Sequence, residues 1–152
     1  MKKIILLSFL LSTIISFSQN LNAYKYAIIP AKYDFLDFKN QYLLNDLTKA
    51  ALTKYGFESF FNNEVLPNDL NEKNTVYVNL VTENSFIYTK MKMVLKNSKN
   101  ETLFTTTEAT TKEKIFSDAY NELLRETVGS LSVLKHQYDE KSNVEKLPEN
   151  AI

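Results

Sequence analysis

Of the side chains that carry most enzyme chemistry, this 152-residue chain holds one histidine, His136, and no cysteine. A Ser-His-Asp arrangement needs its histidine beside a nucleophile and an orienting carboxylate, and a zinc site needs several imidazoles or thiolates, so neither can be assembled. His136 opens a polar C-terminal stretch without periodicity and reads as a surface residue. The only two glycines, Gly56 and Gly129, are both explained by helices, which leaves no glycine-rich loop to wrap backbone amides around a phosphate. Carboxylates remain. Asp34, Asp37, Glu64 and Asp69 could move protons if loops brought them together, yet four scattered acids are what loop solvation alone supplies. The expectation is a protein that is not an enzyme, with no catalytic residue, metal ligand or cofactor-binding residue.

Recognition is the chemistry that the remaining residue types offer. The connection from Ala31 to Asn40 is aromatic and acidic, and with the helix start beyond it supplies Tyr33, Asp34, Phe35, Phe38 and Tyr42. Aromatic rings give contact area at low entropic cost, so an exposed set of this kind could grip a protein partner, a small ligand or a glycan. The competing reading has Phe35 and Phe38 stapling the connection to the first helix and completing the core. Exposure of Tyr33 and Phe35 separates the two. An Asn100-Glu101-Thr102 triplet of the glycosylation type lies on an expected turn and is read as chance.

Two hairpins between Thr75 and Thr111 are the elements that organise the rest. Val76, Val78 and Leu80 alternate with Tyr77, Asn79 and Val81, and in Phe86 to Lys96 the set Ile87, Thr89, Met91, Met93, Leu95 alternates with Tyr88, Lys90, Lys92 and Lys96. Turn formers at Glu83-Asn84-Ser85 and Asn97 to Asn100 divide these strands from each other and from a third at Thr102 to Ala109. One face is apolar and calls for a cover; the lysine face meets water.

Upstream, Tyr24 to Pro30 reads as the first strand, and Gln41 to Tyr55 as a helix ended by Gly56. Phe57 to Phe61 follows as a strand parallel to the first, with Phe57, Ser59 and Phe61 on one face. Thr110 and Glu113 have capping-box spacing before a long apolar stripe from Ile115 to Leu131, interrupted at Gly129. The sum is an α+β fold with an α/β-like start: a mixed sheet of about five strands, in the order strand, helix, four strands, helix, with two main helices packed on it. Loops 31–40 and 62–74 both follow strands of the parallel pair, so both belong to one end of the sheet, where such folds bind.

Lys2 and Lys3 precede an apolar run to Phe17, and Ser16-Phe17-Ser18 carries the small residues of a cleavage site. Residues 1–18 are thus expected to be a signal peptide, 24–135 a single domain and 136–152 a flexible polar tail. Export leaves a periplasmic or secreted protein with no stable membrane insertion after cleavage. It also removes two lysines and no acid, leaving a formal charge of about −2, which offers nucleic acid no long-range attraction. Without cysteine, packing alone must hold the domain.

The Lys-Lys start ending at Phe17-Ser18-Gln19, the opening Tyr24-Lys25-Tyr26-Ala27-Ile28-Ile29-Pro30 and the ending Thr105 to Leu124 resemble small exported proteins of Bacteroidota bacteria. In element order the chain is also similar to the TolB amino-terminal domain and to periplasmic lipoprotein activators of cell-wall synthases. That likeness implies a non-catalytic domain binding an envelope protein. It departs from those families in having no lipid-bearing cysteine and no propeller.

Overall fold

Tyr26, Ala27, Ile28 and Ile29 are all buried, which a four-residue strand achieves only inside a sheet covered on both faces. The computed structural model, which describes residues 20–142, sets this strand, β1 (Tyr26–Ile29), between β2 (Glu58–Phe61) and β3 (Thr75–Asn84), parallel to both. β4 (Thr89–Lys96) and β5 (Thr102–Thr105) continue the sheet antiparallel, giving the order β2-β1-β3-β4-β5. β6 (Ala109–Thr111) pairs with the first part of β4. Helices α1 (Leu44–Lys54) and α2 (Phe116–Gly129) complete the α+β architecture, a mixed six-stranded sheet with two main helices. The export signal expected over residues 1–18 lies outside the described residues, as does the last part of the expected tail, 143–152.

The alternation in β3 and β4 does what it promises. Val76, Val78 and Leu80 join Met91, Met93 and Leu95 in a core completed by Leu44 and Leu52 of α1 and Leu123 and Leu124 of α2. Tyr77, Val81 and the lysines of β4 take the other face. The expected strand 102–109 is instead broken in two. One extra residue sits near Leu103, where the register with β4 shifts, and a second lies between β5 and β6, where Thr106 donates from its N–H to the Met93 carbonyl and accepts the Met93 N–H on Oγ1. Such bulges twist an edge strand and keep it from templating another chain. The opposite edge is blunted by Glu64, whose carboxylate accepts the Phe61 N–H at 2.9 Å while Lys49 holds it at 2.8 Å.

Both helices start later than their apolar patterns suggest. α1 begins at Leu44 because Asn40, Tyr42 and Leu43 are left-handed, with φ of 53°, 58° and 61°. Asn40 then caps the helix from outside, accepting the Asp46 N–H at 3.0 Å and donating to its carboxylate at 2.7 Å. Thr110 is not a cap: it lies in β6, and α2 starts at Phe116. Glu113 meets the free amides there, its Oε1 accepting from Lys114 and Ile115, and those bonds hold its carboxyl below the usual range. α2 ends at Gly129, where a 3-10 turn takes over.

His136 corrects the reading of it as a surface residue. Its ring stacks on Phe57 at 3.8 Å, its Nε2 lies 2.8 Å from the Tyr24 carbonyl, and its Nδ1 is buried without a partner. The residues after it, to Ser142, lie along the first turn: Gln137 and Asp139 donate from their N–H groups to Asn22, and Asn20 donates to Ser142. Gly56 makes room for them. Its φ is +102°, and a Cβ there would stand 2.8 Å from the His136 carbonyl oxygen. Periodicity cannot register such a contact, because one ring on one ring has no repeat.

Two outcomes follow from this packing. Leu123→Ala should cost about 2–5 kcal/mol as a buried truncation and Lys92→Ala under about 0.5 kcal/mol, so equal shifts of the two urea midpoints would contradict the face assignment. Burial pushes His136 below the usual imidazole range. The unfolded chain therefore binds the extra proton first: this part of the stability is whole above about pH 6.5 and is lost as pH falls toward the lower folded value. Urea melts of wild type and His136→Gln across that window should show a slope that the variant lacks.

Candidate functional site

β1, β2 and β3 run the same way, and β6, antiparallel to β4, runs with them. The segments that follow all four strands thus leave from one end of the sheet, and α2 begins there too. The first two start in contact: Asn62 donates its N–H to Ile29 and accepts the Ala31 N–H on Oδ1 at 3.0 Å. They then part. Residues 31–43 lead into α1 over the core face. The 62–74 stretch returns across the other face, where Asp69 accepts the Tyr26 hydroxyl at 2.7 Å and pairs with Lys25 at 3.3 Å. Only its beginning belongs to the loop end, which corrects the expectation that the whole stretch shares it.

The five residues expected to form the site do not stay together. Tyr33 is 0% exposed, stacked on Phe35 at 5.7 Å with its hydroxyl buried and unpartnered, and burial pushes that phenol far up. Phe35 and Tyr42 are half-buried and both lean on Tyr120 of α2, at 5.2 and 5.9 Å. Asn121 holds the Tyr42 carbonyl at 3.4 Å. Tyr33, Phe35 and Tyr42 thus staple the connection to α2, and Tyr33 as an exposed anchor is overturned. Phe38, given the stapling role beside Phe35 in the competing reading, is 61% exposed, and Asp34 is exposed. The left-handed turn rolls Tyr42 toward α2 and Leu43 out into solvent.

Apolar surface gathers instead where the β3–β4 turn meets the start of α2. Ser85 and Tyr88 close that turn, with Ser85 donating its N–H to the Tyr88 carbonyl at 2.8 Å and its Oγ accepting from the Ile87 and Tyr88 amides. Phe86 and Ile87 occupy the tip. Tips of tight hairpins ordinarily carry Asn, Asp or Gly, which adopt the turn cheaply, and neither tip residue gains anything from local geometry. Phe86 is 98% exposed and Ile87 is open as well. Lys114 donates from Nζ to the Phe86 carbonyl at 2.7 Å, bringing Ile115 and the 51%-exposed Phe116 up to the turn. Phe116 stacks on Tyr120 at 5.6 Å, whose hydroxyl accepts from Asn84 at the end of β3. In the sequence, Phe86 and Ile87 fall inside an expected strand and Ile115 and Phe116 on a helical stripe. The signal that could have found them is Ser85 followed by two large apolar residues at a turn.

The carboxylates do not converge. Glu64 is held by Lys49 and the Phe61 amide, which lower its pKa, and Asp69 lies at the far end against Tyr26 and Lys25, its own pKa lowered first by the Tyr26 hydroxyl. Among the described residues, no group of three His, Cys, Asp or Glu side chains could hold a metal ion, and no helix is long and apolar enough to cross a membrane.

No protein-family model matches the sequence, and no curated protein matches it. Among solved structures, the chain is similar to the PelC L103M dodecamer from Paraburkholderia phytofirmans, at 10% identity over 72% of this chain and 87% of that one, with a TM-score of 0.44. The likeness is too remote to bear on function.

The buried aromatic row makes its own forecast. Tyr33→Phe removes an unsatisfied buried hydroxyl and should leave the melting temperature equal or higher, whereas Tyr33→Ala should cost about 3–5 kcal/mol. A clear loss of stability in Tyr33→Phe would mean that the hydroxyl has a partner.

Proposed function

We propose that this chain is an exported, non-enzymatic interaction domain that engages a protein partner of the cell envelope or extracellular space through the loop end of its sheet. The observation that carries this reading is the Phe86-Ile87 tip. A phenylalanine left almost fully in solvent at a hairpin tip, beside exposed Ile115 and Phe116, is unfavourable for the isolated molecule and becomes favourable when a partner covers it. Leu43 and Phe38 add exposed apolar surface on the neighbouring connection. Aromatic side chains standing out from a rigid support are the usual anchors of protein interfaces. The complementary surface is an apolar pocket or groove on the partner, deep enough to take the tip. Lys2, Lys3 and the apolar run that follows favour export, and the resemblance in element order to envelope-binding domains supports the same reading.

Charge argues against other partners. Lys112 and Lys114 near the tip are balanced by Glu83, Glu113 and Asp118, so the surface carries no net positive field for a polyanion or an anionic membrane.

Phe86→Ser and Phe116→Ser should therefore weaken capture of a partner from envelope extract at least about tenfold, the effect of losing about 1.4 kcal/mol at an anchor, while the melting temperature holds. Capture is read by quantitative pull-down against an extract fraction, with binding to vesicles of neutral and anionic lipid measured alongside. Undiminished capture by both variants would overturn the site. Vesicle binding lost in both would replace the protein partner with a lipid surface.

A further inference from the structure

A concave site lies beside the loop end, where β1 and β3 meet the segments after β1 and β2. It is a groove of about 390 Å3, within the range of small-molecule sites, whose lining includes Ile28, Tyr77, Asn79, Asn62 and Asp34. What sets it apart is uncommitted polar chemistry. Among the described residues, the Tyr77 hydroxyl, the Asn79 amide and the Asp34 carboxylate have no hydrogen-bond or ionic partner, and Asn62 spends only its Oδ1, on the Ala31 N–H, so its amide nitrogen still has both protons to donate. Four side chains with uncommitted polar atoms thus stand around one groove.

We infer that this groove binds a neutral, hydroxyl-rich ligand of the size of a sugar ring. The partly exposed Tyr77 ring presents a flat apolar face to ring C–H groups. Asn62 and Asn79 offer donors and acceptors, and Asp34 two acceptor oxygens, the set that reads adjacent hydroxyls. Lys32, donating to the Leu36 carbonyl, and Asp34 bring one charge of each sign to the rim, which favours a neutral ligand over an anion or a cation. Tyr77 and Asn79 stand on β3, whose pairing with β1 and β4 fixes their positions before any ligand arrives. The site stands apart from the Phe86-Ile87 tip and rests on none of its residues.

The test uses the full mature chain and three probes: cellotriose and chitotriose as neutral sugars, and a galacturonic acid trimer as the charged control. Saturation-transfer NMR and calorimetry should find a neutral trimer bound with Kd at or below about 1 mM and the acidic trimer at least about tenfold weaker. Tyr77→Ala and Asp34→Ala should each weaken binding about tenfold or more, and Tyr77→Phe, which keeps the flat face, by under about threefold. Asp34 is exposed and its variant decides the matter even if Tyr77→Ala melts early. Failure of both neutral trimers to bind, preference for the acidic one, or binding untouched in Asp34→Ala and a folded Tyr77→Ala would overturn the inference.

Discussion

β1 is hydrogen-bonded to a parallel strand on each side, and that double pairing is the constraint on which the rest of the structure depends. Parallel neighbours cannot be joined by tight turns; each needs a crossover long enough to return to the starting end. β1 reaches β2 through α1. β2 then returns past β1 to β3 through 62–74, moving across the sheet the opposite way, and a right-handed connection in that direction must pass over the opposite face. Asp69 on the Tyr26 hydroxyl marks the passage. Both faces of β1 are covered as a result, and the loops that follow four strands share one end. The proposed interaction surface and the proposed ligand groove both lie at that end.

The same crowding accounts for the strained turn at 40–43. Left-handed conformations cost a residue with a Cβ roughly 1–2 kcal/mol, and Tyr42 and Leu43 adopt them in succession. The contacts that offset this are the Tyr42 ring on Tyr120, the Asn121 bond to the Tyr42 carbonyl and the Asn40–Asp46 pair.

Most of the frame was legible in the sequence because it repeats. The two-residue period of β3 and β4, the helical spacing of Leu44, Leu47, Ala51 and Leu52, and Gly56 at a helix end are regular signals with single physical causes, although Leu47 of that stripe is exposed. What escaped was local or singular. Bulges split 102–111 without changing its composition; His136 found Phe57 across the whole chain; Leu43 left the helical face through a backbone angle that no side chain announces. Tyr33 misled for a different reason: an aromatic residue on a loop looks the same in sequence whether its ring faces water or, as here, the core. Ile87 misled in reverse, since its alternation with β4 argued for the apolar face and its place at a tip prevents burial.

One sheet edge is blunted at Phe61 and the other is twisted by bulges, so the association proposed above uses side chains at the loop end. The most direct test places a photo-reactive benzoylphenylalanine at position 86, or at position 99 on the β4–β5 turn at the opposite end, in the full-length protein expressed in cells. The account predicts a discrete crosslinked adduct with another protein from position 86 and none from position 99. An adduct from position 99 alone, or none from position 86 where the protein accumulates, would contradict it.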